Sequence, residues 1–143
     1  MTASLPSLQR RAASANPRTM LRIGWVLSGV VLLFLLFDAA AKLALMPQVI
    51  EATALLGYPA ASIRPLGLIC LACAVLYAVP RTAILGAILL TGFLGGATAS
   101  HLRLDDPLFT HTLFGVYVGV LAWAGLYLRD PRLRSLIPFR HAD

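Results

Sequence analysis

The sequence predicts an all-α protein, an integral membrane four-helix bundle with up-down-up-down connectivity and both termini cytoplasmic. Three observations lead there: four apolar stretches of bilayer-crossing length, a scarcity of charge, and a one-sided placement of the basic residues. The stretches run from Ile23 to Ala44, Pro59 to Val79, Thr82 to Leu102 and Pro107 to Leu128. A hydrocarbon core about 30 Å thick takes about 20 helical residues to cross, and each stretch is close to that. Charged residues make up 13% of the chain, where an ordinary soluble domain carries about 25%. With 59% hydrophobic residues, too few polar side chains remain to wet the surface of a soluble domain. The net charge of +6 does not imply nucleic acid, because the basic residues form no groove-sized patch and gather towards the chain's ends.

Those charges set the orientation. Arg10, Arg11, Arg18 and Arg22 precede the first stretch, Arg81 lies between the second and third, and Arg129, Arg132, Arg134 and Arg140 follow the fourth. Nine of the 12 basic residues therefore fall on one side of the membrane, leaving Lys42, Arg64 and Arg103 for the other. Excess arginine and lysine marks the cytoplasmic face, and an even number of spans returns the chain to it. The predicted organisation is a basic tail over residues 1–21, unstructured or on the membrane surface, a membrane domain over 22–130 and a second basic tail over 131–143. A rival reading of the first stretch stays open. A basic leader, the uncharged run Ile23 to Phe37 and then Ala39-Ala40-Ala41 also suit a cleaved secretory signal, which would leave three spans.

Each element has a local cause. Pro47 marks the exit from the first span, and Pro47 to Leu56 reads either as a short interfacial helix stopped by Gly57 or as a plain loop. In the helical reading Val49, Ile50, Thr53 and Leu56 face lipid or core, while Gln48 and Glu51 face water. Gly57-Tyr58-Pro59 punctuates the chain before the second span, where Arg64 snorkels to the interface and Pro65 falls in the tolerated first turns. Pro80 closes that span and makes a tight hairpin around Arg81; Pro107 opens the fourth span and Asp130-Pro131 ends it. Short connections force antiparallel neighbours. Gly92 with Gly96, and Gly115 with Gly119, offer small-residue faces for close packing inside the bundle or between two copies of the chain.

The candidate ligand-binding residues are Asp38, Lys42, His101, Arg103 and His111. Asp38 and Lys42 are four apart on one helical face and able to pair. At about 1.5 Å per residue from Arg22, Asp38 lies about 24 Å along the span, in the outer leaflet. An ionisable group there is costly and marks either a functional site or a structural ion pair. Thr91, Thr98 and His101 share a stripe of the third span, with Thr91 expected to bond its own backbone. His101 and Arg103 end that span, and His111 starts the next. Asp38, Lys42, Glu51, Arg64, His101, Arg103, Asp105, Asp106 and His111 all belong to the outer half, and comparable polar groups are not expected in the inner half. The pattern points to an outward-opening vestibule for a quinone or another lipid-like ligand. No spacing supports a metal site. Cys70 and Cys73 form a Cys-Leu-Ala-Cys pattern, readable as a redox pair or as small core residues. Cys70 has no helix amino terminus or cation beside it in sequence, and the pair is poorly placed on a helix to close a disulfide, so core residues are the expectation.

Several of these residues together resemble the DoxX-like family of small four-span membrane proteins. The matching features are Lys42 after a basic start to span one, Leu56-Gly57-Tyr58-Pro59, Pro80-Arg81, Gly95-Gly96-Ala97 leading to His101-Leu102-Arg103, and Asp106-Pro107. The resemblance covers residues 22 to 130. It implies a four-helix bundle in a cell membrane, in a bacterium the inner membrane. The family takes its name from a subunit of a thiosulfate:quinone oxidoreductase, so it also implies a quinone-linked redox system with quinone as ligand. Its partners would be the bilayer and a second membrane subunit or another copy of the chain, with no nucleic acid. The alternative is a non-enzymatic membrane protein that binds a lipid or a protein partner. Members often place a glutamate in the second span where Cys70 stands, so no catalytic residue is carried over.

Overall fold

The computed structural model describes residues 16–136, all of whose regular structure is helical. Arg10, Arg11, Arg140 and most of the two predicted tails lie outside the described residues. Helix α1 spans Pro17–Leu43 and begins six residues before Ile23. Its early start has a local cause: Asn16 caps it, accepting from the Arg18 amide at 3.1 Å, and Pro17 sits in the first turn. Helix α2, Pro47–Leu55, is the short helix that the Pro47–Gly57 punctuation suggested. A single tight turn, Ala60–Ser62, leads into α3, Ile63–Ala78, and then come α4, Ala83–Arg103, α5, Phe114–Arg129, and a short α6, Pro131–Leu136.

The fourth apolar stretch does not begin as a regular helix. After Pro107 the residues Leu108–Thr112 form one wide turn, with the Thr112 amide bonded to the Pro107 carbonyl at 3.3 Å and the Leu113 amide to Leu108 at 2.8 Å. Such a turn inserts an extra residue into the helical ladder, a feature common near functional sites. The carboxy ends of α1, α2 and α4 share another device. Each is followed by a residue of positive φ, Leu45 at 53°, Gly57 at 78° and Asp105 at 56°. The next amide then folds back: Met46 to the Ala41 carbonyl at 3.1 Å, Tyr58 to Thr53 at 3.1 Å and Asp106 to His101 at 3.2 Å. These caps satisfy carbonyls that would otherwise be stranded at the helix ends.

Helices α1 and α4 each pack against both α3 and α5, which closes a ring of four. Inside the ring lie Val31, Leu35, Cys70, Ala74, Tyr77, Leu90 and Leu126. Outside it, large apolar side chains are open: Leu33 is 72% exposed, Phe37 69% and Val26 65%. Lipid rather than water is the solvent that tolerates such a surface. Four helical segments, Pro17–Leu43, Ala60–Ala78, Ala83–Arg103 and Leu108–Arg129, are long and apolar enough to cross a membrane.

Backbones meet at glycines, though not at the pairs with spacing four. A Cβ on Gly24 would stand 2.7 Å from the Arg129 amide nitrogen, and one on Gly125 would stand 2.7 Å from Ser28 Oγ, so these two seat α1 against α5. Gly67 seats α3 on α1 beside Lys42, Gly86 seats α4 on the backbone of Leu76 and Tyr77, and Gly115 seats α5 on the Leu94 carbonyl. Gly92 and Gly96, expected to pack closely, have nothing within 4 Å of such a Cβ, and Gly119 makes only an ordinary 3.7 Å contact. Spacing reveals a small-residue face but not which neighbour, if any, fills it.

The contrast between Gly86 and Gly92 is testable. Gly86→Ala pushes a methyl into the α3 backbone and is expected to lower stability by about 3 kcal/mol. Gly92→Ala adds its methyl to open space and should be neutral or stabilising by up to about 1 kcal/mol through helix propensity. Thermal unfolding of the detergent-solubilised variants, followed by circular dichroism, compares the two.

Candidate ligand pocket

At the end of the ring where α1 and α4 finish, a pocket of about 610 Å³ opens between the helices. Phe34, Leu35, Leu66, Ile69 and Phe93 supply apolar walls, and the unfilled Gly92 and Gly96 form part of its lining. Its size falls within the usual range for small-molecule sites, about 300–1,000 Å³. Helix α2 lies along one side, contributing Gln48, Val49, Ala52 and Thr53. Gln48, expected to face water, therefore borders the pocket.

Asp38 and Lys42 stand on the pocket wall as an ion pair, one turn apart on α1 and only 27% and 18% exposed. Opposite-charge groups removed from water need a partner at hand, and the four-residue spacing supplies it. The second carboxylate oxygen of Asp38 accepts from the Cys70 thiol at 3.5 Å, and the same thiol lies 3.6 Å from the Leu35 carbonyl. Cys70 and Cys73 are free and buried, as small core residues would be, yet Cys70 has a charged neighbour that its place in the sequence did not reveal. Among the described residues, Lys42 donates only to Asp38, which leaves two of its three N–H bonds available.

His101 and His111 border the same pocket, their ring centroids 6.1 Å apart. His101 Nδ1 lies 2.6 Å from Asp106 Oδ2, a contact made by the turn at Asp105 that folds the chain back over the end of α4. A carboxylate on Nδ1 fixes the hydrogen there, so Nε2 accepts in the neutral ring and donates in the cation. His111 Nδ1 is 2.9 Å from the Thr110 hydroxyl. Four of the five candidate residues thus converge on the pocket. Arg103 does not: it turns away, donating from Nη2 to the Leu56 carbonyl at 2.7 Å, and ties α4 to the end of α2. Thr91 bonds its own backbone at Ala87, as expected, and also accepts from Trp123 Nε1 at 2.8 Å.

Two contributors were missed. Tyr58 and Ser100 join hydroxyls at 2.8 Å on the pocket's edge, while Ser100 also bonds the Gly96 carbonyl. Only the Gly57-Tyr58-Pro59 punctuation drew attention to Tyr58. The other is a polar cluster at the opposite end of the ring, where comparable groups were not expected. The Tyr77 hydroxyl donates to the Ala122 carbonyl at 2.8 Å, so its 3.0 Å contact with Ser28 is donated by the serine. Arg129, taken from the sequence as an orientation charge, is only 8% exposed and donates to the Tyr77 carbonyl at 2.8 Å. Its guanidinium sits 4.6 Å from the Trp25 ring centroid and 4.9 Å from that of Tyr77.

Four apolar spans and no strand among the described residues define a small multi-span membrane protein. The chain belongs to the DoxX-like family, whose sequence model matches residues 26–125. No curated protein and no solved structure matches the chain.

The Tyr77 cluster gives a stability test. Tyr77→Phe takes away the acceptor of the Ser28 hydroxyl and the second bond to the Ala122 carbonyl, and is expected to cost about 1–2 kcal/mol. Thermal unfolding in detergent measures the loss.

Proposed function

We propose that the pocket between α1, α2 and α4 binds a lipid-like molecule with a hydrogen-bonding head, and that quinone is the class it takes. In this reading the chain is a membrane subunit of a quinone-linked redox system, working beside a partner subunit or a second copy of itself. The observation that carries the reading is the meeting of the Asp38–Lys42 pair and two imidazoles with apolar walls in a pocket of about 610 Å³. Quinone carbonyls accept hydrogen bonds, and the two remaining Lys42 N–H bonds are suited to them. Asp38 holds that ammonium in place and balances its charge. Intramembrane ionisable groups serve proton relays and ligand counter-ions elsewhere, which fits the same role.

The proposed setting is a bacterial inner membrane, crossed four times up-down-up-down with α1 retained, the two ends of the chain cytoplasmic and the pocket outward. The basic residues support this orientation, since Arg18, Arg22, Arg81, Arg129, Arg132 and Arg134 lie at the ends of spans away from Asp38. Cysteine labelling in sealed inverted and right-side-out vesicles checks it, because Cys70 and Cys73 are buried. Asp105→Cys should react from outside and Ser135→Cys only from the cytoplasmic side.

A second reading has its own support. Asp38 with Lys42, His101 with Asp106 and Tyr58 with Ser100 are already paired, an economy that suits structural anchoring in a non-enzymatic protein binding lipid or a protein partner. Native mass spectrometry of protein extracted in mild detergent separates the two. The first reading expects a retained isoprenoid quinone, at least tenfold depleted in a folded Asp38→Asn variant. Phospholipid alone, equally retained by both proteins, favours the second.

A further inference from the structure

A second cavity, of about 230 Å³, lies at the opposite end of the ring from the pocket. Cations dominate its lining: Arg81 from the α3–α4 turn, Arg129 from the end of α5 and Arg132 from α6, with Trp25, Ala83 and Asp130 beside them. We propose that this cavity binds the phosphodiester headgroup of an anionic phospholipid.

Charge is the first argument. Three arginines and one aspartate line the cavity, and an Asp130 oxygen is engaged by the Arg132 amide at 2.9 Å. Among the described residues no ion pair engages any of the three arginines. Arg129 is the second argument. Its Nε is buried without a hydrogen-bond partner, although the guanidinium is held against Trp25 and Tyr77 and donates to the Tyr77 carbonyl. A buried cation outside any ion pair is costly, and an anion in the cavity it lines offsets that cost.

Helix α4 adds a third. Thr82 precedes its first turn, but the hydroxyl donates back to the Leu76 carbonyl at 2.8 Å, with the Val79 carbonyl 3.4 Å away, rather than capping the helix. The first amides of α4 are left without an intrahelical or side-chain acceptor where Ala83 lines the cavity, an arrangement that favours phosphate. Finally, the surroundings select a lipid over free phosphate. Trp25, against Arg129, and Val79, next to Pro80 of the lining, are 47% and 43% exposed, an apolar flank along which acyl chains can lie. Basic pockets between spans at the level of the headgroups recognise anionic lipids in this way.

The full-length protein in neutral detergent tests this by titration with dioleoylphosphatidylglycerol, dioleoylphosphatidylcholine and inorganic phosphate. Native mass spectrometry counts bound lipid, and thermal unfolding reads stabilisation. One phosphatidylglycerol per chain is expected to bind and raise Tm, with little effect from the other two probes. Arg81→Gln combined with Arg132→Gln leaves the Arg129–Tyr77 contact intact and should weaken phosphatidylglycerol about fivefold for each arginine removed. Arg18→Gln combined with Arg22→Gln makes an equal charge change at the same end outside the cavity, and binding should persist. Equal binding of phosphatidylcholine, equal stabilisation by inorganic phosphate, or an equal loss in the Arg18/Arg22 control would each overturn the proposal.

Discussion

Helices surrounded by lipid gain nothing by hiding apolar surface from one another, so close backbone approach must hold them together. Here that approach occurs at Gly24, Gly67, Gly86, Gly115 and Gly125, where no larger residue fits without displacing backbone or side chain. The same constraint explains where the protein is hollow. Gly92 and Gly96 are equally small but have no helix pressed against them, and the space left over is part of the pocket. Contact and cavity are two outcomes of one property of glycine, decided by which face of α4 meets a neighbour.

Polar groups obey a matching rule, because the spans offer them no water. At the pocket end the rule is met by short-range pairs: Asp38 with Lys42 along one helix, and His101 with Asp106 across one turn. At the other end it is met by longer reach. Ser28, Tyr77, Ala122 and Arg129 bring α1, α3 and α5 into one network, with Trp25 and Tyr77 against the guanidinium. That network is complete except for Arg129 Nε. One end of the molecule is thus closed electrostatically, while the other keeps unbalanced positive charge at the level of the headgroups.

The parts of this design that could be read in the sequence are those set by local periodicity. Four apolar stretches matched the carboxy ends of the four long helices closely, but α1 starts well before Ile23 and α5 well after Pro107. The Asp38–Lys42 pair was legible because a spacing of four is a contact on any helix. Contacts that depend on a turn were not. His101 reaches Asp106 only because Asp105 takes a positive φ, and Arg103 leaves the pocket because Leu56 ends α2 with a carbonyl within its reach. The burial of Arg129 was hidden for another reason. An arginine closing an apolar stretch reads as a topological charge, and its burial follows from Gly24 letting α1 come close beside it.

The chemistry open to a ligand follows from how Asp38 is used. One of its oxygens accepts from Lys42 and the other from Cys70, so each carboxylate oxygen already has a partner within the protein. Lys42, by contrast, spends one N–H of three and lines the pocket with the rest. On this wall Lys42 therefore offers a ligand unspent donors, with the negative charge of Asp38 already paired. A molecule whose head offers acceptors and whose tail is apolar matches that surface, whereas a cation would have to displace Lys42 to reach Asp38. This asymmetry, rather than the mere presence of a charged pair in the span, is what supports the proposal of a carbonyl-bearing amphiphile.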